Sequence, residues 1–116
     1  MLFRSVYPEV KDKATAVLVI HENKGLTDWV RAVADQVAEA GFIAVAPDLL
    51  SGTGPKNGKT DDFPSADAAT KALSKLPPDQ VTGDLNAAAD YAVKIPACNG
   101  KLAVAEIGRA SCRERV

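Results

Sequence analysis

The run TAVLVI, residues 15–20, is almost wholly apolar and rich in β-branched side chains, with no alternation. A strand with one wet face would alternate, so this run suits a strand covered on both sides. The next two segments narrow the choice. LTDWVRAVADQVAEAG sets Val30, Val33, Ala34 and Val37 at helical spacing, with Thr27 or Asp28 placed to cap the start and Gly41 to stop the end. FIAVAPD, residues 42–48, is then a second short apolar strand, reached across one glycine and ended by a proline that cannot continue a central ladder. Strand, helix, strand is a βαβ unit. Such a unit needs parallel strands and a right-handed crossover, so both strand ends, near His21 and near Pro47, open on the same edge of the sheet.

The rest of the chain extends this pattern. Residues 51–64, SGTGPKNGKTDDFP, form a Gly/Pro/Asp-rich loop without an apolar period, placed to cover a site. SADAATKALSKL starts at a plausible Ser65 cap and predicts a short outer helix. PPDQVTGDLNAAADYAVKIP repeats the helical period through Val81, Leu85, Ala88, Ala89 and Ala92. Gly83 inside it costs about 1 kcal/mol relative to Ala, which a close helix contact would explain. KLAVA, residues 101–105, comes after the turn residues Asn99 and Gly100 and reads as a third buried strand. The order β-α-β-loop-α-α-β predicts an open α/β fold with a mostly parallel sheet flanked by helices, in which ligands gather outside the carboxyl ends of the strands.

Composition excludes several functions. A net charge of -1 argues against a nucleic-acid partner, and no apolar run approaches the length of a membrane span. Cys98 and Cys112 have no metal-ligand spacing and are too few for a disulfide framework, which points to free thiols in a reducing, cytoplasmic compartment. No GxGxxG or GxxxxGK[ST] succeeds the first strand, so a nucleotide cofactor is not expected, and the cysteine spacing gives no reason to expect a metal.

Candidate chemistry lies at the expected edge. His21-Glu22-Asn23-Lys24-Gly25 puts an imidazole, a carboxylate and an amide at the end of the first strand, where the same residues would serve equally well as a polar loop closing it. Asp48 is weighted toward structure, because Pro-Asp after a strand is a turn signal and the carboxylate can cap backbone N–H groups.

Over most of its length the sequence resembles a known family. VLVIHENKGLTDWVRAVADQVAEAGFIAVAPDLLSGTG is similar to the N-terminal part of the dienelactone hydrolases, α/β-hydrolase-fold enzymes, and the resemblance extends through VTGDLNAAADY and NGKLAV to about Ala105. It implies a carboxylic ester or lactone hydrolase with a Cys nucleophile, an acyl-enzyme and a small-molecule ester or lactone as substrate. Glu22 then stands where the family has the carboxylate that activates the nucleophile, and Asn23 where a backbone N–H enters the oxyanion hole. His21 does not match the family's catalytic histidine, which comes much later. The nucleophile elbow, GFCxGG, is expected straight after KLAVA, where this chain reads EIGRASC; Cys112 lacks the elbow's glycines and spacing. The resemblance therefore implies a partial α/β-hydrolase fold truncated before the elbow, inactive by itself. The alternatives are a non-catalytic α/β binding domain and a Ser-dependent relative within the same fold.

Both ends of the chain depart from this pattern. Residues 107–116, IGRASCRERV, are the translation of ATC GGA AGA GCG TCG TGT AGG GAA AGA GTG, the read-through of a common sequencing adapter. Residues 2–5, LFRS, match CTC TTC CGA TCT from the opposite adapter, and Glu106 is accounted for by a junction codon. The expected organisation is thus an artefactual leader at 1–5, the N-terminal part of an α/β-hydrolase domain at 6–105, and an artefactual tail at 106–116. The native start then lies upstream, where a targeting segment stays open, and the oligomeric state is not legible. Three strands of a larger sheet leave edges uncovered, which predicts marginal stability and a tendency to aggregate.

Overall fold

A computed structural model of the chain describes residues 3–107; Met1, Leu2 and Gly108–Val116, which include Cys112 and most of the expected tail, lie outside the described residues. The elements are β1 (Phe3–Val6), β2 (Ala14–Ile20), α1 (Asp28–Glu39), β3 (Ile43–Pro47), α2 (Ala66–Ser74), α3 (Pro78–Lys94) and β4 (Cys98–Glu106). One sheet of order β1-β3-β2-β4 joins the strands. β2 pairs in parallel with β3 and with β4, while β1 runs antiparallel along β3. The sheet is thus mostly parallel, as the βαβ pattern requires. β1 is an addition, since four half-buried residues without a clear period carry no strand signal of their own.

Two apolar layers explain why β2 and β3 read as continuous runs. On one face Ala16, Leu18, Ile20, Ile43 and Val45 pack under Ala88, Ala92 and Ile95 of the α3 region. On the other, Val17, Val19, Ala44 and Ala46 pack under Val30 and Ala34 of α1 and under Leu26. Alternate residues of each strand feed opposite layers, so residues 16–20 and 43–46 are apolar throughout.

The helix boundaries have local causes. α1 ends in a Schellman arrangement: Gly41 sits at φ 103, its N–H donates to Ala38 O at 3.0 Å, and the Phe42 N–H donates to Val37 O at 3.4 Å. Thr27 occupies the N-cap position of α1, but its hydroxyl makes no cap bond. Ser65 does cap α2, its Oγ accepting from the Ala68 N–H at 3.1 Å. α2 is partly exposed along its length, with Ala69 as its buried residue.

Three expectations are corrected by the packing. Gly83 makes no close helix contact, because a Cβ built there meets nothing within 4 Å. It lies on the exposed side of α3. KLAVA is not buried either: Leu102 is 37% exposed and Val104 52%, because β4 is the last strand in the order and no helix lies fully over it. β4 also begins earlier than expected. Cys98 already pairs with Ala14, and Asn99 and Gly100 form an irregularity inside the strand rather than a turn before it, with Gly100 at φ 85 and the Lys101 N–H donating to Asn99 Oδ1 at 2.9 Å. Cys98 is buried, its thiol directed at Lys101 O at 3.6 Å, as expected of a packed rather than a reactive thiol.

Candidate active site at the carboxyl edge of the sheet

The ends of β2 and β3 are joined by one imidazole. His21 is buried, and its Nε2 accepts the Leu49 N–H at 3.0 Å. An accepting Nε2 leaves the proton on Nδ1, which then donates to Glu22 O at 2.8 Å. Burial holds the His21 pKa below its ordinary value despite the nearby Glu22 carbonyl and the Asp48 carboxylate, so the ring is neutral at neutral pH. His21 is a structural tie between two strand ends.

The Glu22 carbonyl takes a second bond from the Gly25 N–H at 3.2 Å, which closes a tight turn over Glu22-Asn23-Lys24-Gly25. Gly25 sits at φ 83, where a Cβ is strained, and a Cβ there would also collide with the Thr60 hydroxyl and come within 2.8 Å of Thr60 Cγ2. Both facts require glycine. The turn leaves Asn23 exposed, and among the described residues its N–H donates to no group. Glu22 is half-buried beside it, and its carboxylate has no hydrogen-bond partner among the described residues. The structure therefore places Glu22 and Asn23 together at the end of β2, level with the end of β4 through the Ile20–Glu106 pairing.

Asp48 takes the structural role the sequence favoured. Its Oδ1 accepts from the Leu50 N–H at 3.0 Å and the Thr60 hydroxyl at 2.6 Å, and its Oδ2 accepts from the Thr60 N–H at 3.0 Å. Thr60 passes the connection on, its Oγ1 accepting from the Leu26 N–H at 3.1 Å. Arg31 holds the other side of Leu26: Nη1 donates to Leu26 O at 2.9 Å, and Nη2 pairs with Asp28 and with Asp61, the latter at 3.1 Å. These carboxylates raise the Arg31 pKa further. Sequence reading missed Thr60 and Arg31. Nothing local marks either, since one lies in an aperiodic loop and the other on a polar helix face.

An open cleft of about 260 Å³ lies beside this edge, lined by Lys24, Thr27, Thr60, Asp61, Phe63 and Ser65 among others. A larger one of about 600 Å³, between Tyr7–Val10 and the end of α1, opens beyond Val6, which pairs with Ala44 near the start of β3, and holds none of these groups. Among the described residues there is no cluster of metal-ligating side chains and no helix long and apolar enough to cross a membrane.

Comparison with known proteins decides the family. The family model for the dienelactone hydrolase family matches residues 3–107. This chain belongs to that family. It is 31% identical over 94 residues to carboxymethylenebutenolidase 1 of Cupriavidus pinatubonensis, covering 80% of this chain and 40% of that protein. It is 47% identical over 53 residues to YghX of Escherichia coli (strain K12), named as a hydrolase fragment, covering 46% of this chain and 45% of that protein. The chain thus spans less than half the length of the curated relatives it matches. Its fold agrees with a crystal structure of a protein from Klebsiella pneumoniae assigned as a dienelactone hydrolase, with a TM-score of 0.73 at 23% identity over 90% of this chain and 43% of that one. A hydrolase family and an α/β-hydrolase-type fold are therefore established.

Proposed function

We propose that this chain supplies one wall of the active site of a carboxylic ester or lactone hydrolase, working by a Cys nucleophile and an acyl-enzyme. The observation that carries this reading is the Glu22–Gly25 turn, which presents an unspent N–H and a carboxylate without a hydrogen-bond partner side by side among the described residues at the end of β2. In the proposed reaction a thiolate attacks the substrate carbonyl carbon, and the carbonyl oxygen takes up negative charge. The Asn23 N–H donates to that oxygen, where a fixed donor stabilises the transition state more than the ground state. The ester C–O bond then breaks, the leaving oxygen takes a proton from water, and a water molecule adds to the thioester carbonyl and expels the thiolate, giving the acid. Glu22 acts on the nucleophile by controlling its ionisation, as a carboxylate within reach of the thiol accepts its proton and yields the attacking thiolate.

The thiol and its partners are not read from residues 3–107, so the test uses the longer protein that contains this segment, if the source DNA encodes one. Its frame beyond Ala105 should continue as Gly-Phe-Cys-x-Gly-Gly. The purified product should hydrolyse p-nitrophenyl acetate and a dienelactone and be inactivated by iodoacetamide. Glu22→Gln should shift the acid limb of its pH–rate profile, because that limb tracks the thiol. Inactivation by a serine-directed phosphonate instead would replace the thiolate by a Ser. No turnover of any ester, or native DNA that encodes EIGRASCRERV and a stop, would refute the reading.

A further inference from the structure

The proposed reaction gives roles to Glu22 and Asn23 but none to Thr60, although its hydroxyl links Asp48 to Leu26 beside the turn. We propose that Thr60 is a positioning residue for this site, an inference that rests on that reading of the turn. Its hydroxyl donates to Asp48 Oδ1 at 2.6 Å and accepts from the Leu26 N–H at 3.1 Å, and the residue is buried. A hydroxyl is the one small group that can do both at once.

Leu26 succeeds the residue whose N–H closes the turn. It is gripped on both sides, its N–H by Thr60 and its carbonyl by Arg31 of α1, which is ion-paired to Asp61, the loop residue after Thr60. Gly25 rests against Thr60 Cγ2 and Leu50 Cδ1, where even a Cβ would lie at 2.8 and 3.1 Å. The turn is therefore pulled toward Thr60 by a hydrogen bond and stopped there by contact. On the far side His21 fixes the Glu22 carbonyl. Held at 22 and at 25–26, the intervening Asn23 N–H has one direction relative to β2. A misplacement of about 1 Å at such a donor costs on the order of a hundredfold in rate, so this bracing governs turnover rather than affinity.

The test compares Thr60→Val, Thr60→Ser and Glu22→Gln in the hydrolase containing this segment, reading kcat and KM separately together with amide hydrogen exchange at Leu26. Thr60→Val keeps the shape and removes the hydroxyl. It should speed Leu26 exchange and lower kcat by about tenfold or more with KM changed less than about twofold, and Thr60→Ser should restore most of kcat. Replacing the Leu26 N–H by an ester oxygen leaves the Asp48–Thr60 bond in place and should lower kcat in the same way, which keeps the proposal testable if Thr60→Val does not fold. Wild-type kcat in Thr60→Val, or in the ester variant, with Glu22→Gln still impaired, overturns the role of Thr60 alone. Undisturbed kcat in all variants, Glu22→Gln included, even with faster Leu26 exchange in Thr60→Val, overturns the role of the turn itself.

Discussion

Ile43-Ala44-Val45-Ala46 in β3 and Leu102-Ala103-Val104-Ala105 in β4 are nearly the same tetrapeptide, yet every residue of the first is buried and three of the second are exposed. β3 has a strand on each side and a helix layer on each face. β4 has one neighbour, β2, and among the described residues nothing pairs with its outer edge. The two stretches differ in propensity for a pleated surface only by Ile43 in place of Leu102, a small effect. What separates them is the number of elements that surround each one.

A charge placed in each strand puts this difference to its hardest test. Val45→Asp buries a carboxylate with no partner and should abolish folding, whereas Val104→Asp should leave a folded chain that self-associates less; circular dichroism and light scattering on the pair check this. Equal loss of structure in both would mean that β4 is covered after all. Milder truncations probe the same contrast. Ile43→Ala should cost about 2–5 kcal/mol in urea denaturation, as for other fully buried aliphatic residues, and Leu102→Ala less than about 1 kcal/mol.

Effects of intermediate size are expected at the polar edge. Gly25→Ala should cost about 1–3 kcal/mol through its positive φ alone, and more through the Thr60 contact, while Gly52→Ala, at φ 82 with open space around it, isolates the backbone component. The smallest effect is the pH dependence of His21. Its pKa is lowered in the folded state, so the unfolded chain binds more protons as the pH falls through the unfolded value of 6.5. Stability should be full above that pH and decline below it, by at most about 1.4 kcal/mol per pH unit from this one group. Denaturation midpoints from pH 8 to pH 5 give the slope, and His21→Gln should remove it. A slope of opposite sign would mean that the buried ring is charged.

Much of this architecture was legible along the chain because its signals are local. The unalternating TAVLVI, the valines of α1 and the glycine at 41 are enough to specify β2, α1 and β3 and the edge on which their ends open. Glu22 and Asn23 were found as residues at that edge, and the resemblance to the dienelactone hydrolases supplied the roles proposed for them. β1 was not found, because its pairing depends on an edge of β3 that exists only once the βαβ unit has formed, aided by Arg4 reaching Asp35 on α1 at 2.7 Å. Thr60 was not found because it lies 34 residues from Leu26 along the chain.

Apolar periodicity and turn chemistry act over a few neighbours, so they were enough for the mostly parallel α/β sheet and the groups at its carboxyl edge, while the family came from the resemblance of whole motifs to the dienelactone hydrolases. That KLAVA is an open edge, that Gly83 touches nothing, and that His21 and Asp48 brace loops were set by packing in three dimensions. Burial and hydrogen-bond partnership depend on which distant segments arrive at a residue, and composition does not record that.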